Sequence, residues 1–103
     1  MKIYTCEELD VLKKGNKIVL IQYTAKWCSP CRVLTPILEK IETEYPDVIF
    51  GKIDIDENRE CVLSLGIKSV PTVILYNGEK IINQSVGVKP LTYYRQIITD
   101  LLK

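Results

Sequence analysis

The distribution of apolar residues predicts alternating strands and helices along most of the chain. Residues 18–23, Ile-Val-Leu-Ile-Gln-Tyr, form an apolar run rich in β-branched side chains, which predicts a strand buried on both faces. From Cys31 to Tyr45 the apolar residues recur at helical spacing, and Pro46 follows them. This segment is therefore predicted to be an amphipathic helix that ends before the proline.

Capping residues and turn signals predict the remaining elements. Thr5 and Glu8 have the spacing of a capping box, which predicts a helix from about Thr5 to Lys14. Asn77-Gly78 is a signal for a tight hairpin between two strands. The other predicted elements are strands at 3–4, 48–55, 72–76 and 80–86, a short helix at 58–65 and an amphipathic C-terminal helix at 91–102.

The order of these elements, βαβαβαββα, predicts an α/β fold. Strands joined through a helix run parallel, whereas the two strands of a hairpin run antiparallel. We therefore expect one domain over residues 1–103, built on a mixed five-stranded sheet. Three parallel strands and the antiparallel C-terminal hairpin make up this sheet, and four helices cover both of its faces.

Composition excludes several classes of function. The 103 residues are 47% hydrophobic and 26% charged, which is typical of a soluble globular domain. Fourteen Lys and Arg residues oppose thirteen Asp and Glu residues, and because the charges are interspersed we expect neither a nucleic-acid nor a membrane partner. The chain has no histidine, which excludes Ser-His-Asp and Cys-His catalysis and histidine-ligated metals. Neither a signal-peptide pattern nor a long apolar segment is present, so we expect a cytoplasmic protein.

Cys28 and Cys31 form a Cys-x-x-Cys pair between a predicted strand and a predicted helix. Side chains three positions apart on a helical turn share one face, with Cβ atoms about 5–6 Å apart, so the two sulfurs can bond and separate through small movements. Cys28 is expected at the helix N-terminus, where free N–H groups and the helix dipole favour a thiolate, which makes it the predicted nucleophile. Pro30 fits the first turn because it has no N–H to lose.

The segment Trp27-Cys28-Ser29-Pro30-Cys31 resembles the active site of thioredoxins, and the similarity extends through nearly the whole chain. A lone Cys-x-x-Cys would also fit a structural turn or half of a zinc site. The further motifs that match the family in the same order are Pro36, Lys52-Ile53-Asp54-Ile55-Asp56, Val70-Pro71-Thr72, Asn77-Gly78-Glu79 and Gly87. The resemblance implies the thioredoxin fold, with a cis peptide bond before the proline of the Val-Pro-Thr motif.

This resemblance implies an enzyme, a protein-disulfide reductase that works by dithiol–disulfide exchange. The Cys28 thiolate would attack a substrate disulfide, and Cys31 would then resolve the mixed disulfide. No cofactor would be bound, because electrons would come from a thioredoxin reductase, an NADPH-dependent flavoprotein. The implied substrates are protein disulfides of the ribonucleotide reductase, peroxiredoxin or methionine sulfoxide reductase type, and the protein is expected to be a monomer.

The substrate groove of the family maps onto residues that flank the cysteine pair. A substrate strand would pair with the backbone of Val70. The groove residues carried over from the resemblance are Trp27, Ser29, Pro30, Ile55, Val70, Pro71, Gly87 and Val88.

Gln22 departs from the family pattern. Family members usually carry a buried aspartate here, to which deprotonation of the second cysteine is assigned. A neutral amide can form a hydrogen bond but cannot accept the proton, so we expect slower release of the mixed disulfide and retained activity. Lys52, a nearby cation in the resemblance, would favour a Cys31 thiolate. The alternatives are that Gln22 points to a polar edge and that Lys52 is an ordinary solvated charge.

Cys6 and Cys61 lie outside the motif. They are isolated in the sequence and form no second Cys-x-x-Cys, so a tetrathiolate zinc site is not expected and we predict no metal. Cys61, beside Val62 on a short helix, is interpreted as a buried, unreactive cysteine. Cys6 is near a helix start and is a candidate reactive thiol. Because the helices that carry the two cysteines would share one face of the sheet in this fold, a second disulfide is an alternative.

Three other functions remain open at this stage. A disulfide oxidase or isomerase would share the fold, although such proteins often place a histidine between their cysteines. Glutaredoxins typically carry Cys-Pro-Tyr-Cys instead. From a different class, a binding module could use the fold as a rigid platform without redox chemistry, and retained biological activity in Cys28→Ser and Cys31→Ser variants would support it.

Overall fold

A computed structural model describes residues 1–103. The strands are β1 (Lys2–Ile3), β2 (Ile18–Thr24), β3 (Ile49–Asp54), β4 (Thr72–Asn77) and β5 (Lys80–Val86). The helices are α1 (Cys6–Lys14), α2 (Ser29–Glu42), α3 (Arg59–Ser64) and α4 (Leu91–Leu102). The predicted order of elements is confirmed, and the largest difference is in α2, which begins before Cys31 and ends before Tyr45. None of these helices is long and apolar enough to cross a membrane.

The five strands form one mixed sheet in the order β1-β3-β2-β4-β5. Strand β3 pairs in parallel with β1 and β2, whereas β4 pairs antiparallel with β2 and β5. The predicted thioredoxin-type sheet of parallel strands followed by an antiparallel hairpin is therefore confirmed. Strand β2 is the central strand. The loop that follows it therefore carries Cys28 to the C-terminal end of β2, in the middle of the sheet.

Alternating side chains along β2 contribute to two apolar cores, one on each face of the sheet. Ile21 and Tyr23 pack with residues of α1 and α3, whereas Leu20 packs with residues of α2 and α4. Because successive side chains of a strand point to opposite faces, Gln22 lies on the same face as Leu20. This parity directs the Gln22 side chain toward α2, the helix that follows the cysteine pair.

The two local signals predicted from the sequence are present. The Thr5 hydroxyl accepts a hydrogen bond from the Glu8 nitrogen at 3.1 Å, and the Glu8 carboxylate accepts one from the Thr5 nitrogen at 2.8 Å. In the β4–β5 hairpin Gly78 has a φ of 59°, which favours glycine. Both the capping box and the hairpin turn are therefore confirmed.

Candidate active site

Cys28 and Cys31 stand at the first turn of α2, and their sulfurs lie at disulfide distance. Their Cα atoms are 5.3 Å apart. Cys28 caps the helix, and its Sγ accepts a hydrogen bond from the backbone nitrogen of Cys31 at 3.2 Å. The free N–H groups of the first turn and the positive end of the helix dipole are directed at this sulfur. The geometry therefore stabilises a thiolate on Cys28.

Apolar neighbours pack against the cysteine pair. Cys28 and Cys31 are each only 3% exposed and form a small cluster with Ala25. Ile55 and Val70, both predicted groove residues, pack against this cluster. The two side chains therefore form an apolar wall of the site, which limits the access of water to the sulfurs on this side.

Trp27 is the exposed residue next to the pair. Its side chain is 66% exposed, and its indole nitrogen donates a hydrogen bond to a carboxylate oxygen of Asp56 at 2.9 Å. The contact anchors a large aromatic ring at the rim of the site. Asp56 belongs to the family motif quoted from the sequence, but its role as the partner of Trp27 was not predicted.

The loops at 70–71 and 87–88 meet beside the apolar wall. The peptide bond between Val70 and Pro71 is cis, as expected from the resemblance. The Gly87 nitrogen donates a hydrogen bond to the Pro71 carbonyl oxygen at 2.8 Å, and Gly87 has a φ of 85°. A Cβ at Gly87 would have nothing within 4 Å, so backbone conformation rather than crowding favours glycine there. Val88 follows and remains exposed. The predicted groove residues of these two loops are therefore neighbours.

The predicted residues Ser29 and Pro30 complete the exposed side of the loop. Both side chains are exposed, and both residues lie between the two cysteines in the first turn of α2. Pro30 occupies a position at which a missing N–H leaves no hydrogen bond unformed.

Gln22 lies beneath Cys31 and does not point to a polar edge. It is 0% exposed, and its amide nitrogen donates to the Cys31 carbonyl oxygen at 3.1 Å. The Thr35 hydroxyl lies 3.1 Å from the Gln22 amide oxygen and 3.0 Å from the Cys31 carbonyl oxygen, so it donates to one of them. The buried amide nitrogen is thus hydrogen-bonded, and the amide oxygen lies within hydrogen-bond reach of Thr35, a member of the site that sequence reasoning missed.

A cavity of about 220 Å³ opens beside Cys31. Its lining residues are Ile3, Thr24, Ala25, Lys26, Cys31, Arg32, Thr35, Lys52 and Asp54. Lys52 is half-buried, and it lines the same cavity as Cys31. The cation that the resemblance placed near the second cysteine is thus close to it. Three cationic side chains and one carboxylate surround this space, so its electrostatic environment favours an anion over a neutral thiol.

Cys6 and Cys61 form a second disulfide, which joins α1 to α3. Their Cα atoms are 6.5 Å apart. The interpretation of Cys61 as a buried, unreactive cysteine is therefore wrong: the residue is half-buried and bonded. The reason is the packing of both helices on one face of the sheet, where the Cys6 nitrogen also donates to the Asn58 side-chain oxygen at 3.1 Å. No group of three or more His, Cys, Asp or Glu side chains is arranged to hold a metal ion.

The fold and the cysteine pair define a dithiol–disulfide oxidoreductase built on the thioredoxin fold. The family model described as thioredoxin matches residues 5–100. The chain therefore belongs to the thioredoxin family.

Individual relatives resemble the chain over most of its length. It is 38% identical to a thioredoxin of Chlamydia pneumoniae over 102 residues, which span 99% of this chain and 95% of the relative. The crystal structure of a thioredoxin from Trypanosoma brucei brucei has a TM-score of 0.88 at 28% identity, covering 99% of this chain and 89% of that one. A chain in a structure on the thiol-resolving mechanism of a yeast mitochondrial 1-Cys peroxiredoxin via glutathione/thioredoxin systems has a TM-score of 0.83 at 29% identity. It covers 96% of this chain and 93% of that chain.

Proposed function

We propose that this dithiol–disulfide oxidoreductase works as a protein-disulfide reductase, with Cys28 as the nucleophile and Cys31 as the resolving cysteine. The observation that carries the assignment is the hydrogen bond from the Cys31 nitrogen to the Cys28 sulfur at the N-terminus of α2. The Cys28 thiolate attacks one sulfur of a substrate disulfide, forms a mixed disulfide and expels the other sulfur as a thiolate. The Cys31 thiolate then attacks the Cys28 sulfur and releases the reduced substrate.

Formation of the Cys31 thiolate is the step that this chain performs without a carboxylate at position 22. Gln22 holds the Cys31 carbonyl oxygen but cannot take the thiol proton. We assign the proton to water in the cavity beside Cys31, where Lys52 stabilises the thiolate that remains. Gln22 and Lys52 are thus positioning and electrostatic residues in this proposal, and neither is a general base.

The substrate binds as an extended strand beside the apolar wall. Support comes from the contact of Ile55 and Val70 with the cysteine cluster. It also comes from the hydrogen bond that the Gly87 nitrogen donates to the Pro71 carbonyl oxygen. An incoming strand pairs with the backbone of Val70, by the same hydrogen bonding that adds a strand to a sheet edge. Trp27, Ser29, Pro30 and Val88 form the exposed part of this surface.

The partners follow from family membership. Thioredoxins exchange electrons with a thioredoxin reductase and with disulfide substrates, and we propose an NADPH-dependent flavoprotein reductase as the donor here. The similarity to a chain from the peroxiredoxin study supports a peroxiredoxin-type substrate; ribonucleotide reductase and methionine sulfoxide reductase types are further candidates. We also propose that residues 1–103 act as a single, monomeric domain in the cytoplasm.

Trapping of the mixed disulfide tests the two cysteine roles. The Cys31→Ser variant, in a Cys6→Ser/Cys61→Ser background, is expected to accumulate a covalent complex with insulin, because no thiol remains to resolve it. The matched Cys28→Ser variant should form little complex. Equal trapping by the two variants would contradict the assignment, and trapping by Cys28→Ser alone would reverse it. Full biological activity in both variants would instead support a binding module.

A further inference from the structure

The Cys6–Cys61 disulfide lies outside the proposed reaction and opens on a separate groove. This groove has a volume of about 600 Å³ between the first turns of α1 and α3. Besides the two cysteines it is lined by the charged side chains of Glu7, Asp10, Glu57, Arg59 and Glu60. Both cysteines are half-buried at its wall, so a small molecule or a peptide segment in the groove can approach their sulfurs.

The charge of the groove is predominantly negative. Four carboxylates line it against one guanidinium, that of Arg59. Two of the carboxylates also have a lysine partner outside the lining: Lys13 lies 3.9 Å from Asp10, and Lys26 lies 3.5 Å from Glu57. Four carboxylates therefore face three cations, Arg59 and the two lysines, so the groove keeps a modest negative field. An anionic reactant is repelled from the sulfurs here, and a cationic one is attracted.

We propose that Cys6 and Cys61 form a second thiol–disulfide exchange site, selective for positively charged disulfides. Cys6 is the first residue of the nine-residue helix α1, at the positive end of the helix dipole, and it is the attacking cysteine. Its thiolate attacks a cationic disulfide, forms a mixed disulfide and expels one thiolate, which takes up a proton. The Cys61 thiolate then attacks the Cys6 sulfur and expels the second thiolate. The two cysteines lose two electrons and two protons, and the disulfide becomes two thiols.

The contacts around Cys61 hold the pair ready to close. The Asn58 side chain accepts a hydrogen bond from the Cys6 nitrogen at 3.1 Å and donates one to the Asp54 carbonyl oxygen at 2.8 Å. The Cys61 sulfur lies 3.4 Å from the Asn58 carbonyl oxygen. One residue therefore contacts both members of the pair and fixes the start of α3 against the start of α1.

The test uses the full chain with Cys28→Ser and Cys31→Ser, so that only Cys6 and Cys61 can react. The reduced protein is mixed with cystamine, a dication, or with glutathione disulfide, a dianion, and the loss of free thiols is followed over time. We expect closure to one intramolecular disulfide, with cystamine faster by about tenfold at low salt and a ratio that shrinks as salt is added. In the matched Glu7→Gln/Glu60→Gln variant the ratio should fall several-fold, because both side chains are exposed and only charge is removed.

Two results would overturn this proposal. One is a thiol count that stays at two with both reagents, which would show that the cysteines do not exchange. The other is a ratio of the cystamine rate to the glutathione disulfide rate that is the same whether or not the protein also carries Glu7→Gln and Glu60→Gln. Because the active pair is absent from this protein, neither result bears on the proposed roles of Cys28 and Cys31.

Discussion

The amide nitrogen of Gln22, a residue that is 0% exposed, donates a hydrogen bond to the carbonyl oxygen of Cys31 across 3.1 Å. This contact places a neutral side chain directly beneath the proposed resolving cysteine. The amide fixes the backbone of Cys31 but supplies no base. The second half of the exchange reaction should therefore be the step that this chain performs most slowly.

The first prediction concerns a carboxylate at position 22. Gln22→Asp is expected to speed the release of the mixed disulfide by about a hundredfold, the lower end of what a placed base contributes. Single-turnover reduction of a peptide disulfide measures this rate. Gln22→Asn is the matched control, since asparagine has the same shape as aspartate but provides no base. Equal rates for the two variants would refute the assigned effect of Gln22.

The same substitution should make stability depend on pH. A carboxyl buried at this fully enclosed position is expected to have a pKa raised by desolvation above its unfolded value of about 3.9. The native state then binds the proton more tightly than the unfolded state, so the free energy of unfolding decreases as pH rises above about 4. Urea unfolding of Gln22→Asp between pH 4 and 8 should show this decrease, and Gln22→Asn should not show it.

Much of the fold, and the position of the cysteine pair in it, follows from features that are local in the sequence. The apolar run of β2, the capping box of Thr5 and Glu8, and the spacing of Cys28 and Cys31 each involve neighbouring residues, and each is present in the fold. Periodicity was less informative on the surface. Val33 belongs to the apolar series of α2 but is 60% exposed, because it flanks the buried stripe rather than lying in it.

The missed members of the site depend on distant contacts. Asp56 reaches Trp27, and Asn58 reaches Cys6, over 29 and 52 residues of sequence. No periodicity or spacing reports such pairs. Pairing of Cys6 with Cys61 likewise requires two helices to pack side by side on one face, which only the complete sheet order determines.

The second prediction concerns the anchor of Trp27. Asp56→Ala removes the acceptor of the indole hydrogen bond, so the ring should become mobile and the KM for a protein disulfide should rise about two- to tenfold, the equivalent of about 0.5–1.5 kcal/mol. Asp56→Asn keeps an acceptor oxygen and should stay near the parent value. Steady-state insulin reduction provides the KM, and Trp27 fluorescence anisotropy reports the ring's mobility. An unchanged KM in Asp56→Ala would remove the indole from the proposed substrate surface.

The third prediction separates backbone strain from substrate binding at two glycines. Gly66 and Gly87 have φ values of 71° and 85°, and a Cβ at either would meet nothing within 4 Å. Alanine at each should therefore lower the free energy of unfolding by a similar amount, about 1–2 kcal/mol. Only Gly87→Ala should also raise the KM for a protein disulfide, because Gly87 lies beside Pro71 in the proposed groove. A rise of equal size in Gly66→Ala would mean that strain alone explains the effect.

The fourth prediction concerns the buried hydroxyl pair of Tyr23 and Tyr76, whose oxygens are 2.7 Å apart. Burial raises the pKa of both phenols above the ordinary value of 10.0. The folded protein therefore holds these protons more tightly than the unfolded chain, and the free energy of unfolding should decrease as pH rises above about 10.

Urea unfolding at pH 8 and pH 11 measures this effect. Tyr23→Phe/Tyr76→Phe should lose stability less steeply with pH and remain close to the parent at pH 8, because neither hydroxyl is left without a partner. Tyr76→Phe alone strands the Tyr23 hydroxyl and should cost about 1–3 kcal/mol at pH 8. Equal losses between pH 8 and 11 in the parent and the double variant would show that the pair does not carry the pH dependence.

The reduction potential of the Cys28–Cys31 pair tests the central claim most directly. Trp27 is the only tryptophan and lies beside the pair, so its fluorescence in defined thiol–disulfide buffers reports the redox state of a Cys6→Ser/Cys61→Ser variant. A protein-disulfide reductase is predicted to have a potential more negative than that of the glutathione pool, about −220 to −260 mV. A potential less negative than that pool would contradict the account and indicate an oxidase or isomerase instead.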